Sequence, residues 1–268
     1  LAVPAILFLG AFFLIPLLAM GLRSVTDPPG AGLANYEQFF AESAYVRVLI
    51  NTFWIALLAT VTCLVIGYPY AYLMTVVPGR IAGLLLIAVL LPFWSSLLVR
   101  TFAWQVILRD TGIINRFLLD LGLISEPLTL IRTTTGVILG MSHILLPFMV
   151  LPLYATMQQI PRDLMQAGAS LGAGPMLTFW RIFLPLSLPG VLAGSTLVFV
   201  LTLGFYITPE LLGGGRTIMI SMLVSRNVEL YDQWGAASAV GVVLLVAVGV
   251  IFFAVSRFIP LDRVLGQK

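Results

Sequence analysis

The chain has 268 residues; 60% are hydrophobic, 9% are charged, and the formal net charge is +3. A soluble domain carries about a quarter charged residues, so this composition excludes a water-soluble globular enzyme and a disordered chain. With a mean hydropathy of +1.08 the sequence is that of a membrane protein.

A helix rises 1.5 Å per residue and needs about 20 apolar residues to cross the hydrocarbon. Six stretches satisfy this: 1–22, 49–77, 82–108, 134–157, 186–208 and 236–256. The first has no basic flank and is longer than the apolar core of a signal peptide, so it is kept as a span. The third contains Arg100, which is expected near a membrane face, where an arginine can snorkel. Pro78-Gly79-Arg80 forms a tight turn between the second and third spans. The connections 23–48, 109–133, 158–185 and 209–235 are longer. No internal repeat or low-complexity linker appears, so residues 1–268 are read as one all-α domain of six transmembrane helices.

With six spans the loops alternate between two faces. One face carries Arg80, Arg162, Arg181, Arg257, Arg263 and Lys268, with Asp163 and Asp262. The other carries eight arginines and nine acids on longer loops. Basic density places the first face in the cytoplasm. A net charge of this size on so apolar a chain suits basic loops at a lipid surface rather than nucleic acid.

Several chemistries are excluded. One cysteine, Cys63, rules out a disulfide within the chain. With one histidine, His143, it cannot build a zinc site of the usual kind, so no metal is expected. Lys268 is the last residue and the only lysine, so there is no Gly-Lys-Ser/Thr phosphate loop. No catalytic constellation is present, and the chain is not expected to be an enzyme. No Asp or Glu falls within a predicted span. A carrier coupled to protons or sodium usually holds such a relay at depth. His143, on the fourth span, is either a proton relay or a neutral imidazole bonded to a neighbouring helix, and the second is the commoner use. Pro16, Pro69, Pro92, Pro147 and Pro152 kink their spans. The pairs Gly136/Gly140 and Gly190/Gly194 suit close helix packing.

The connection 158–185 is the informative one. Asp163 stands in a first helical turn, where its charge complements the helix dipole. Leu164, Gly168 and Leu171 fall at i, i+4 and i+7 and predict one stripe. Gly172 is placed as a left-handed stop, and Pro175 suits the first position of a second short helix carrying Phe179, Trp180 and Phe183. Pro185 and Pro189 lead into the fifth span. The bland alternative for this hairpin is a lipid anchor.

Gln166-Ala167-Gly168, three residues, Gly172, nine residues, Ile182, Phe183 and Leu184-Pro185 follow in order. This spacing resembles the cytoplasmic motif of permease subunits of binding-protein-dependent ABC importers: Glu-Ala-Ala, three residues, Gly, nine residues, Ile, one residue, Leu-Pro. Gln166 replaces the Glu, and Gly168 replaces the second Ala. The segments Asn35-Tyr36, Asn51-Thr52, Leu91 to Trp94, Val99 to Thr101, Ile144 to Tyr154 and Pro209 to Gly215 are similar to the spermidine/putrescine subgroup.

The resemblance implies a type I importer permease fold in a bacterial cytoplasmic (inner) membrane. It implies that loop 158–185 carries a coupling helix docked in a groove of a cytoplasmic ATPase, of which two copies bind ATP and Mg. The chain itself would hold no cofactor. Arg162, Leu164, Gln166, Ala167, Leu171 and Gly172 would make the docking surface. A second, homologous permease and a periplasmic substrate-binding protein complete the implied partners. The solute would be a polyamine or a related compound. Glu210, beside Tyr206 and Phe205, is the candidate for its ammonium groups, with Trp94 and Trp104 as further lining. The same residues read equally as a solvated span cap and an interfacial aromatic belt. An ATP-independent carrier or channel is the competing function.

Overall fold

A computed structural model describes residues 3–258. Among them every regular element is helical. In chain order these are α1 (Val3–Leu9), a π turn (Gly10–Leu14), α2 (Ile15–Thr26), α3 (Ala34–Ala41), α4 (Ser43–Val76) and α5 (Gly79–Leu90). A 3-10 turn (Leu91–Trp94) precedes α6 (Leu97–Ile107), α7 (Ile113–Asp120), α8 (Thr134–Gln158), α9 (Arg162–Ser170) and α10 (Pro175–Thr178). A second π turn (Phe179–Phe183), α11 (Leu184–Leu203), α12 (Ile207–Gly213), α13 (Ile220–Glu229) and α14 (Trp234–Phe258) complete the described chain. The tail 259–268, with Arg263, Lys268 and Asp262, lies outside the described residues.

Five helical stretches are long and apolar enough to cross a membrane: Ile6–Thr26, Ser43–Val76, Thr134–Gln158, Pro175–Leu203 and Trp234–Phe253. A bent pair of helices makes a sixth if its two parts are taken as one span. The span expected over 82–108 is corrected in degree: the kink expected at Pro92 is a break, where Gly79–Trp94 and Leu97–Ile107 meet at 100°. The cause is local. Pro92 has no amide to donate back up α5, and the backbone tightens into the 3-10 turn closed by Ser95 N donating to the Pro92 carbonyl at 3.1 Å. Ser95 and Ser96 then adopt extended conformations, with ψ of 151° and 143°.

The second correction concerns the hairpin. Its second arm is not a separate short helix, because α10, the π turn and α11 run on as one helical stretch from Pro175 to Leu203. Pro185 does not interrupt it. A proline ring clashes with the carbonyl four residues back. Here the Leu184 amide bonds the Phe179 carbonyl, five residues back, and the widened turn makes room for the ring. The same device precedes Pro16, where the Ile15 amide bonds the Gly10 carbonyl.

The chain forms two compact units, with α4 contributing to both. The first contains described residues up to Phe53 and from Ile218 onward. Its core is Phe39, Ile220 and Val240. The Asn35 amide donates to the carbonyls of Ser24 (2.9 Å) and Asp27 (2.8 Å), and the Ser24 and Tyr36 hydroxyls lie 2.6 Å apart. Asn51 donates to the Ile218 carbonyl, and the Thr52 hydroxyl accepts the Ile220 amide at the start of α13, both at 2.9 Å. The Asn-Tyr and Asn-Thr pairs read from the sequence are therefore fasteners of this unit.

The second unit runs from Trp54 to Thr217. Its centre is α8, whose Met141, Leu145, Met149, Leu153 and Met157 form one fully buried stripe at a spacing of four. Helix α11 packs along α8. Gly190 and Gly194 make the approach possible: a Cβ at Gly190 would lie 2.8 Å from Thr156 Cβ, and one at Gly194 2.9 Å from Met149 Sδ. Both glycine pairs are close-packing positions, since a Cβ at Gly140 would lie 2.5 Å from Leu212 and one at Gly136 2.4 Å from the Leu130 carbonyl oxygen.

The connection between α6 and α8 is held by buried Asn115. Its amide donates to the Arg109 (3.1 Å) and Leu128 (2.9 Å) carbonyls, and its carbonyl accepts the Leu128 amide at 2.8 Å. Asn115→Ala strands these three backbone groups and is expected to destabilise the loop by about 2–3 kcal/mol. Limited proteolysis should then cut within 109–128. Unchanged protection of that segment would remove Asn115 from its supporting role.

Candidate functional site

The hairpin is built as its sequence directs. Pro161 is the N-cap of α9 in an extended conformation, and Asp163 lies in the first turn. The helix ends in a Schellman closure. The Ala173 amide donates to the Gly168 carbonyl and the Gly172 amide to the Ala169 carbonyl, both at 3.0 Å. Gly172 has φ +85°, the left-handed conformation that glycine adopts without strain. Pro175 opens α10, with Gly174 as its N-cap.

The predicted single stripe of Leu164, Gly168 and Leu171 does not form. Gly168 is buried against the second arm, where a Cβ would lie 3.0 Å from Ile182 Cδ1 and 3.5 Å from Thr178 Oγ1. Leu171 is 89% exposed and Leu164 is 41% exposed. The reason is that Leu171 is the C-cap, one residue past the last full helical position, so helical periodicity no longer fixes its direction. The two glycines and Ile182 thus have distinct jobs: Gly172 turns the chain, while Gly168 and Ile182 hold the arms together. Arg162, Gln166, Ala167 and Gly172 are exposed with Leu164 and Leu171, and of these six predicted docking residues Arg162 also lines the space behind α9.

Behind α9 lies a cavity of about 890 Å³, reached by Arg162 and Met165 on its inner side. Its far wall is aromatic: Tyr72 meets Phe179 at 5.7 Å and Phe183 at 5.0 Å between ring centroids. The hairpin is seated on rings rather than packed solid against the bundle.

The residues proposed for solute contact divide. Glu210 lies in the first turn of α12, half-buried, and its amide bonds the carbonyl of Tyr206, the N-cap. Phe205 directly precedes them. Helix α12 is fastened to α6: Gln105 donates to the Leu211 carbonyl at 2.8 Å, and the Thr101 and Thr208 hydroxyls are 3.3 Å apart. Trp104 belongs to α6, so it shares this pair of helices with Glu210. Trp94 stands apart at the bend and is 80% exposed.

The Trp104 indole N–H donates to His143 Nδ1 at 3.2 Å. An Nδ1 that accepts leaves the ring proton on Nε2, which is the neutral imidazole bonded to a neighbouring helix. Trp104→Phe is expected to cost about 1 kcal/mol in detergent unfolding and to leave transport within about twofold of the parent. Loss of transport at unchanged stability would place the pair in the transport machinery instead. Sequence reading missed the link between these two residues. It also missed the setting of Arg100, one turn before Trp104 on the same helix, whose guanidinium lies 5.8 Å from the Phe93 ring centroid. The signal was the i, i+4 spacing of Arg100 and Trp104.

Comparison with known proteins places the chain. Residues 49–260 match the family described as binding-protein-dependent transport system inner membrane component. The chain is 34% identical over 236 residues to the spermidine/putrescine transport system permease protein PotB of Haemophilus influenzae, covering 88% of this chain and 81% of that one. It is also 34% identical over 236 residues to PotB of Escherichia coli (88% and 84% covered). The inner membrane ABC transporter permease protein YdcU of Escherichia coli is 34% identical over 233 residues, with 80% and 74% covered. A chain of the bacterial ABC transporter involved in import of the acidic polysaccharide alginate has the same fold, with a TM-score of 0.71 at 20% identity over 96% and 93% of the two chains. A chain of the bacterial alginate ABC transporter in complex with an alginate pentasaccharide-bound periplasmic protein gives a TM-score of 0.76 at 19% identity, covering 99% and 93%. Apolar spans, an exposed glycine-closed hairpin between the fourth and fifth of them, and these matches agree: the chain belongs to the binding-protein-dependent transport system inner membrane component family and is a multi-pass permease of the inner membrane.

Proposed function

We propose that this permease forms half of the translocation pathway of an ATP-driven importer for a polyamine such as spermidine or putrescine. The observation that carries the coupling mechanism is the outer side of the hairpin, where Leu171 stands 89% exposed beside a left-handed Gly172. A bare leucine on a tightly closed turn is a ready anchor for a hydrophobic groove. Leu164, Ala167 and Leu171 fill that groove on a cytoplasmic ATPase subunit, and Arg162 and Gln166 hydrogen-bond its rim. Two such ATPases bind ATP and Mg, and their closure drives the hairpins of two paired, homologous permeases together. The density of basic residues on the short loops supports a cytoplasmic hairpin. One structural relative is a transporter in complex with a substrate-bound periplasmic protein, which supports delivery of the solute by a binding protein.

The names of the relatives support a polyamine. Glu210 offers the carboxylate and Tyr206 and Phe205 the ring faces that an alkylammonium chain recognises. Glu210→Gln is expected to raise the KM for spermidine about fivefold, the equivalent of about 1 kcal/mol, with a smaller effect on maximal rate. An unchanged KM would move the recognition site elsewhere. The deciding experiment reconstitutes this chain in vesicles with its ATPase, second permease and binding protein, and adds spermidine, putrescine or an unrelated amino acid. Stimulation of ATP hydrolysis by polyamine alone supports the full reading. Stimulation by the amino acid alone keeps the importer and discards the polyamine. Solute uptake without ATP discards the importer.

A further inference from the structure

Among the described residues, Arg100 is a cation without a counter-charge. Its Nε and Nη1 are closed off from solvent and have no hydrogen-bond acceptor. Its cationic carbon lies over the Phe93 ring at 5.8 Å. That ring faces a donor and offers no oxygen. Trp104, one turn on, directs its N–H to His143, whose remaining Nε2–H is also a donor. Neither Phe93 nor the Trp104–His143 pair therefore offers Arg100 an acceptor. A buried charged donor left unmade is costly, more so than a neutral one.

The missing acceptor is not in this chain's spans, none of which contains an aspartate or glutamate. Glu210 stands on α12, which packs against α6, yet no ion pair links it to Arg100. A polyamine is itself a cation and would be repelled. A carboxylate carried on a packed helix meets these conditions. It would approach along the flank of α6, where Leu98, Val99, Phe102 and Val106 are 46–61% exposed and have to be covered by something apolar. We propose that Arg100 forms an ion pair with an aspartate or glutamate side chain of the second permease subunit. The proposal rests on the paired-permease reading given above. The pair serves to select the partner and fix its register, because a mismatched partner leaves the enclosed guanidinium nitrogens unpaired.

The test uses the assembled importer. Arg100→Lys places an amine at this position, and a membrane-soluble carbodiimide joins an amine to a carboxylate only where the two touch. Mass spectrometry is expected to find the new amide linking position 100 to one acidic residue of the second permease. A link to Glu210 of the same chain, or no link in a complex that co-purifies normally, overturns the proposal. Arg100→Gln is expected to lower recovery of the second permease with this chain by about tenfold or more, while the amount of this chain in the membrane is unchanged. Recovery at the parental level overturns the proposal too. If Arg100→Gln fails to accumulate, the cross-link alone decides. Should the second permease fail to co-purify even with the parent chain, the paired reading fails, and that result is distinct from a missing link in an intact pair.

Discussion

A permease carrying Gly172→Val is expected to insert and assemble, yet lose substrate-stimulated ATP hydrolysis. Gly172 sits at φ +85°, and nothing lies within 4 Å of the place a Cβ would occupy. The penalty is therefore conformational and not steric. A β-branched residue in this region is strained by about 1–3 kcal/mol. The turn relieves that strain by opening, which breaks the bonds from Gly172 to Ala169 and from Ala173 to Gly168. Leu171 then loses its fixed direction beside α9, and the surface proposed to enter the ATPase groove is dispersed. Gly174 supplies the control. It has φ −67° and equally open space, so Gly174→Ala is expected to be silent. Leu171→Asp tests the anchor itself and is expected to abolish stimulation without altering the turn. If Gly172→Val and Leu171→Asp both couple as the parent does, the hairpin is not the docking element. Purified yield and thermal unfolding of each variant separate lost coupling from lost folding.

Gly190→Leu is expected to prevent a stable fold. Helices α8 and α11 approach so closely that even an alanine Cβ at Gly190 would lie 2.8 Å from Thr156 Cβ and 3.0 Å from the Pro152 carbonyl oxygen. Carbon atoms pack best at about 3.5–4.0 Å, so the helices would have to separate by most of an ångström. Alanine should cost about 1–3 kcal/mol as overpacking, and leucine more, enough to threaten a protein of ordinary stability. The contrast is Gly83 on α5, where no atom lies within 4 Å of a built Cβ. Gly83→Ala should be neutral or stabilising by about 0.5–1 kcal/mol, because alanine is the better helix former. Unfolding midpoints in detergent would decide. Equal midpoints for Gly190→Ala and Gly83→Ala would show that the contact between α8 and α11 is not limiting.

The sequence by itself determined the class of molecule and most of its spans. Five crossings were legible because burying about 20 apolar residues in hydrocarbon is a local sum that composition reports directly. The hairpin was legible for a similar reason: Gly172 and Pro175 act on their own backbone, whatever surrounds them. Where the outcome depended on neighbours, the sequence was silent or misleading. Pro92 and Pro185 are both prolines in apolar helices. The kink expected at Pro92 is there, as a bend of 100°, whereas Pro185 is absorbed by a π turn in an unbroken stretch. Ser95 and Ser96 carry no signature that tells these cases apart, since helix continuity there depends on packing and on which carbonyls find other donors. Nor could spacing reveal that Gly168 faces its own hairpin while Leu171 points away, or that Trp104 spends its N–H on His143. Those contacts join residues on different helices, and one-dimensional periodicity holds no record of distance across a fold. The apolar spans and the turns follow from each residue's own chemistry, whereas the bend, the continuous fifth span and the uncompensated charge of Arg100 were decided only when the helices met.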